Sequence, residues 1–324
     1  MDSYFVRMTK FSVPDSFVDH LWKQHQIAIH YPFFDKYWDP SQIPEKADET
    51  SLDPSRYKGD GVSTAIKNFR DLGVNGGYVW AEYRDTQTDA EKQRIRIGVV
   101  RPRSLSPDDP NTFIQPTRWQ LGPNESFRDG SREKEAKLKC LQMVDSKPVG
   151  QGESMSFRAA RPPNVTISRW QAVMTESNIN RLQYLVEGKT LPQEWESLFT
   201  HQQEAACAEY MRDPGSGLEG NTLKHLLMPV GRTLKDVDIV GYTIDGRQLF
   251  AQVTFAGLSS KKVQALINCK NPGQDPVMAY FGKGELDESG YRDFDGQSYL
   301  FIPWKRVEEW VKRDPDYMTR ILNG

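Results

Sequence analysis

The sequence predicts a mixed α+β / α/β chain in two domains: a small β-barrel with helices packed on it, a helical connector, and a mixed sheet flanked by helices. Three observations predict this. The chain has 324 residues, enough for two domains. Its first hundred residues order themselves as helix, strand, long loop, helix, strand, strand. Residues 196–324 run helix, hairpin, helix, strand, strand, helix, the alternation that builds a sheet with helices on its faces.

Taken in order, "PDSFVDHLWKQ" (14–24) opens with proline and sets Phe17, Val18, Leu21 and Trp22 on one helical stripe. "QIAIHY" alternates Ile27, Ile29 and Tyr31 against Ala28 and His30, as a strand does. Residues 33–60 are rich in proline, aspartate and aromatics and read as an irregular loop. "VSTAIKNFRDLG" restores helical spacing and stops at Gly73. Strands follow at 77–83 and 94–100. Residues 101–165 are polar and broken by proline and glycine, with one strand signal in "KLKCLQMV"; they close a first domain, 1–165. Residues 166–195 turn helical and form the connector.

In the last domain, 196–324, Thr200 and Gln203 have capping-box spacing, so a helix is expected from His201. "NTLKHLLMP" reads as a short helix. Strands at 236–243 and 247–255 flank an Asp245-Gly246 turn. Ser259 or Ser260 caps a helix through Val263, Leu266 and Ile267; "PVMAYFG" and "SYLFIP" are strands, and "WKRVEEWVKRD" is a helix.

The charge is balanced, with 42 basic and 44 acidic side chains, which excludes a histone-like binder held by charge alone and leaves room for a local basic groove. The three cysteines, Cys140, Cys207 and Cys269, form no CxxC pair, so a cysteine-rich zinc module is not expected; reduced thiols in a cytoplasmic protein are. The N-terminus lacks the basic start and apolar core of a signal peptide, and no apolar run is long enough to cross a bilayer. No membrane association is expected.

The stretch "VGRTLKDVDIVGYTIDGRQLFAQVTF" (230–255) carries an aspartate, Asp238, into one hairpin strand and "AQVT", with Gln252 and Thr254, out of the other. The preceding helix offers Glu204 in "HQQEAACAEYMRD". With these residues in this order, 196–311 resembles the catalytic domain of Mrr-like restriction endonucleases, of the PD-(D/E)XK fold. The resemblance implies a restriction-endonuclease-like sheet and magnesium-dependent cleavage of DNA in restriction or defence. Glu204, Asp238 and Gln252 would then place Mg2+, with Glu204 and Asp238 as its carboxylate ligands. Magnesium prefers oxygen donors, and phosphodiester hydrolysis needs a cation to stabilise phosphate charge and activate water. The family pattern has lysine where this chain has Thr254, whose hydroxyl carries no charge. Lys261 and Lys262, at the start of the next helix, are the nearest replacements; a solvated pair is the alternative. Cleavage and a binding-only domain therefore both stay open.

Glu204 shares a helical face with Ala208 and Met211, where a carboxylate needs a partner or a metal. An Arg or Lys partner, or an inward Glu209, would satisfy the same pattern. Register provides a check. A two-residue Asp245-Gly246 turn puts Asp238 opposite Val253 and sends Gln252 to the other face. A turn that includes Arg247 puts Asp238 opposite Thr254, with Gln252 on their side. The nuclease reading needs the second, or a bulge.

Residues 17–100 resemble EVE and PUA-like barrels, which receive modified or extruded bases, on "LWKQHQIAIHYP", "GGYVWAEY" and "RIRIGVVRP". An extruded base needs flat side chains to stack on and polar groups to read its edge. Tyr31, Phe33, Trp38 and Trp80 are the candidate walls, with Trp38 and Trp80 foremost; His30 and Glu82 could read an edge. Trp80 filling the core is the alternative. Arg158 and Arg161, with Arg101, Arg103 and Arg169, could grip phosphates if they cluster. Such a reader serves DNA, modified or not, or RNA. A further alternative is an assembly protein whose sheet domain makes a homo-oligomer.

Overall fold

The computed structural model describes residues 1–8, 15–29, 52–56, 60–83, 94–102, 115–120, 135–150, 157, 166–170, 180–218, 220–227, 237–254, 257–270, 273 and 275–323. Seven α-helices and fourteen strands lie among them, in a mixed α+β arrangement. The chain divides into two compact units, residues 1–173 with 178–191, and residues 174–177 with 192–324.

The first unit is built on β1 (Ser3–Met8), α1 (Asp15–Gln24), β2 (Gln26–Ile29), α2 (Asp60–Asn75), β3 (Gly77–Tyr83), β4 (Arg94–Val100), β5 (Gln115–Gln120), β6 (Glu135–Gln142), β7 (Val144–Pro148), β8 (Ile167–Arg169) and α3 (Arg181–Glu187). One sheet has the order β7-β4-β3-β1-β8 and a second the order β2-β6-β5. Among the described residues neither closes into the expected barrel. The reason is β1: it pairs parallel with β3, from Ser3↔Tyr78 to Met8↔Tyr83, and lies between β3 and β8 inside a mixed open sheet. A parallel pair needs a long crossover, supplied here by the chain that carries α1 and α2. Tyr4, Val6, Met8, Val79, Ala81 and Tyr83 form one face of that sheet and pack with Phe17, Val18 and Leu21 of α1 and Ile66, Phe69 and Leu72 of α2. Every residue of β3 is buried, so both faces of this strand are covered.

Residues 166–195, expected as a helical connector, give β8 to the first sheet and α3 to the first unit. The Trp170 N–H donates to the Ser3 carbonyl, and the Ser3 hydroxyl donates to Asn180, the residue that caps α3.

The second unit comprises α4 (Thr200–Arg212), β9 (Leu223–Leu227), β10 (Ile239–Thr243), β11 (Gln248–Val253), α5 (Ser260–Ile267), β12 (Val277–Gly282), β13 (Gly290–Phe294), β14 (Gln297–Pro303), α6 (Trp304–Lys312) and α7 (Pro315–Asn323). The sheet order is β13-β14-β12-β11-β10-β9, with β11, β12 and β14 parallel. Alternation along β11 and β12 divides the core. Leu249, Ala251, Val253, Ala279 and Phe281 pack with α4, α6 and α7; Met278 and Tyr280 pack with Val263 and Leu266 of α5.

"NTLKHLLMP" supplies an edge strand, β9, rather than the expected helix. Pairing with β10 overrides a weak local preference, and Gly241 permits it: a Cβ there would collide with the His225 carbonyl and the Leu223 side chain. The capping box lies one residue earlier than Thr200–Gln203 suggests. Phe199 is the N-cap, and its N–H donates to the Gln202 side chain at 2.9 Å.

Candidate active site

The β10–β11 hairpin turns through Ile244, Asp245 and Gly246. Thr243 donates to the Arg247 carbonyl at 2.9 Å, and Gly246 has a φ of 85°, a conformation glycine takes without strain. The loop is three residues long but begins one residue earlier than either expected turn. The ladder therefore pairs Ile239 with Ala251 and Tyr242 with Gln248, a third register. The Asp238 N–H also donates to the Ala251 carbonyl, at 2.9 Å. Asp238 and Ile239 thus meet one residue together, the two-against-one arrangement of a β-bulge.

This geometry brings Asp238 and Gln252 into contact. The Gln252 amide donates to Asp238 Oδ2, and the Val253 N–H donates to the same oxygen at 2.7 Å. Gln252 also donates to the Val253 carbonyl at 3.2 Å, which fixes its side chain along the strand. No hydrogen bond to Asp238 Oδ1 is formed among the described residues. Burial raises the Asp238 carboxyl above its ordinary value, while the Val253 N–H, the positive charge of Lys262 and the Gln252 amide pull it back. Lys262 stands in the first turn of α5 and is exposed.

Thr254 is buried and its N–H donates to the Phe281 carbonyl at 2.9 Å, while the Tyr280 hydroxyl accepts the Ser259 N–H at 3.2 Å. The backbone bond ties the end of β11 to β12, and the Tyr280 hydroxyl ties β12 to the start of α5. Glu204 lies half-buried on α4 beside Ala208 and Met211, the face expected from its spacing. Sequence reasoning missed a buried thiol that feels both carboxylates. Cys207 is fully buried, and burial first, then the charges of Glu204 and Asp238, raise its thiol well above the ordinary range. Its signal was faint: it follows Glu204 by three positions and so lies one helical turn on. Among the described residues no group of three His, Cys, Asp or Glu side chains is placed to hold a metal ion. Magnesium keeps waters and binds through one or two carboxylates plus substrate phosphate; of that donor set Asp238 offers carboxylate oxygens, while the Gln252 amide turns its nitrogen toward Asp238.

In the first unit Trp80 is fully buried. It stacks on Phe157 with ring centroids 5.0 Å apart and meets Trp170 edge-on at 5.9 Å. It is a core residue in this structure rather than an open wall. Glu82 is buried too and lies 3.5 Å from the Arg7 guanidinium. Arg169 pairs with Asp2 and Arg101 approaches Asp145 at 4.0 Å, so these two arginines do not cluster through one shared partner. Tyr31, Phe33, Trp38, Arg158 and Arg161, with His30 and Arg103, lie outside the described residues. No helix among the described residues is long and apolar enough to cross a membrane.

No family model matches the chain, and no curated protein matches it. Among solved structures it is similar to the MspJI restriction endonuclease in complex with a 27-mer oligonucleotide, at 10% identity and a TM-score of 0.27, over 92% of this chain and 73% of that chain.

Proposed function

We propose that the second unit is a magnesium-dependent DNA-cleaving module of the PD-(D/E)XK kind, in which Lys262 supplies the positive charge that Thr254 does not. The observation that carries this reading is the contact of Asp238 with Gln252 on neighbouring strands, with the Lys262 charge acting on the same carboxylate. A half-buried carboxylate gains from a cation beside it, because burial makes its bare charge costly. Magnesium, when bound, would offset phosphate charge and make a coordinated water more acidic. Asp238 is the ligand the chain offers, and the Val253 N–H and the Gln252 amide hold it in place. Lys262 carries its charge on a flexible, solvated stem able to meet a phosphate oxygen. Glu204 is the second carboxylate of the proposal. By this reading the protein acts on DNA in a restriction-type role, with the first unit as reader of a modified base.

A binding-only module is the second reading, and two observations favour it. The Gln252 amide meets Asp238 through its nitrogen rather than its oxygen, and the uncharged Thr254 is buried where the family pattern has a lysine. Supercoiled, linear and modified DNA incubated with Mg2+ separates the readings. Cutting that Asp238→Ala abolishes supports the enzyme. Retention without cutting supports the module. Absence of retention at low salt rejects both in favour of an assembly role.

A further inference from the structure

The face of the second sheet on which α5 packs is only partly covered. α5 lies over β11 and β12, where Val263 and Leu266 meet Met278 and Tyr280. Toward the β9 edge the same face carries two cross-strand rows. The ladder registers give one row as Leu227, Val240 and Phe250, and the next as His225, Tyr242 and Gln248. Alternation puts all six side chains on the side of Val240, which packs into the α5 core. Val240 is buried and Phe250 half-buried, but Leu227 is 46% exposed, Tyr242 is 40% exposed, and His225 is open to solvent too. Ile244, in the hairpin turn, is 59% exposed. Apolar and aromatic side chains grouped on one open face mark a docking surface.

Charge decides what docks there. From 239 to 270 the chain carries Arg247, Lys261, Lys262 and Lys270 against one carboxylate, Asp245, and Arg247 already pairs with it at 2.7 Å. β9 adds Lys224 and no acid. These four lysines are exposed, and among the described residues none of them makes a salt bridge. In a chain of net charge −2 this region is locally cationic, so its complement is an anion. A second copy laid on the same face would set lysine against lysine. A polyanion with flat apolar faces suits both halves of the surface: phosphates meet the lysines, and bases stack on the tyrosine. A duplex hides its base faces in its own stack, whereas an unpaired strand offers them.

We propose that this open face holds an unpaired DNA strand, with Tyr242 as the stacking platform for a base and the lysines at the ends of α5 on its phosphates. The proposal rests on the DNA-directed reading of the second unit and adds to it the form of the substrate beside the site. Gln252 lies on the same face, two residues beyond Phe250 along β11, and is bonded to Asp238. Tyr242 is four residues from Asp238 along the chain, roughly 13 Å at about 3.3 Å per residue. One short strand therefore spans the platform and the carboxylate. His225 and Gln248, on either side of Tyr242, are the polar groups beside the stacked base.

The test uses the full chain in EDTA, so that binding is read apart from cutting. The anisotropy of one labelled oligonucleotide is followed alone and as a duplex with its complement, at constant ionic strength. The single strand should bind about tenfold more tightly than the duplex. Tyr242→Ala should weaken single-strand binding about tenfold and leave duplex binding unchanged. Tyr242→Phe, which keeps a flat ring, should retain the parental affinity. Equal affinity for single strand and duplex, or single-strand affinity that Tyr242→Ala leaves unchanged, overturns the proposal. A dimer in sedimentation that Leu227→Asp disperses assigns the face to a second copy and overturns it too. A parent that holds the single strand through Tyr242 but cuts no DNA once Mg2+ is added rejects the nuclease reading and upholds this one. A parent that cuts, with single-strand binding indifferent to Tyr242→Ala, rejects this proposal alone.

Discussion

At the scale of the residue, the argument turns on the protonation of Asp238. Its folded carboxyl is raised above the ordinary value, with burial the largest cause. The folded state therefore holds this proton more tightly than the unfolded chain does. The stability it contributes is fully present below the unfolded value and is lost as pH rises through the folded one. Asp238→Asn removes that loss and can still accept the Val253 and Gln252 bonds. The variant should be more stable than the parent at neutral pH, and the two melting curves should converge as pH falls below the carboxylate range. Thermal melts across pH check this. Asp238 and Gln252 were legible in the sequence because their order in a hairpin is a local pattern. The reach of Lys262 was not: adjacency in the chain named it as a candidate, but only the packing of α5 against the sheet brings its charge to Asp238. Cys207 was read as one of three scattered thiols, because nothing local ties it to Asp238.

At the scale of the element, turn placement decides the site. Starting the loop at Ile244 instead of Asp245 moves every cross-strand partner, and with it the neighbour of Asp238. Hairpin, helix α5 and strands β12 and β14 were legible from alternation and turn chemistry. β9 was not, since Leu, Lys and His in "NTLKHLL" suit a helix locally and become a strand only against β10. The two glycines of this hairpin should fail differently. Gly246→Ala meets open space and costs about 1 kcal/mol from its left-handed backbone alone. Gly241→Ala drives a methyl into β9 and should cost about 1–3 kcal/mol, with hydrogen exchange accelerated over 223–227. Urea unfolding of both variants, with exchange mapped by residue, distinguishes strain from collision.

At the scale of the whole molecule, two units each own a core. One is centred on β1 and β3, the other on β11 and β12. The expected barrel became two open sheets because the pairing of residues 3–8 with 78–83 joins segments too far apart in sequence for any local pattern to announce. A fragment spanning 192–324 encloses α4 to α7 and all six strands of its sheet, so it should fold alone, with a cooperative melt and native near-ultraviolet dichroism. A fragment that melts without cooperativity would show that its core is incomplete. The central claim, that a lysine on α5 stands in for the one missing from β11, is tested most directly by single-turnover DNA cleavage with Mg2+ by the parent, Lys262→Met and Lys261→Met. The account predicts a loss of about a hundredfold or more for Lys262→Met and near-parental cutting for Lys261→Met. Equal cutting by both variants and the parent would contradict it.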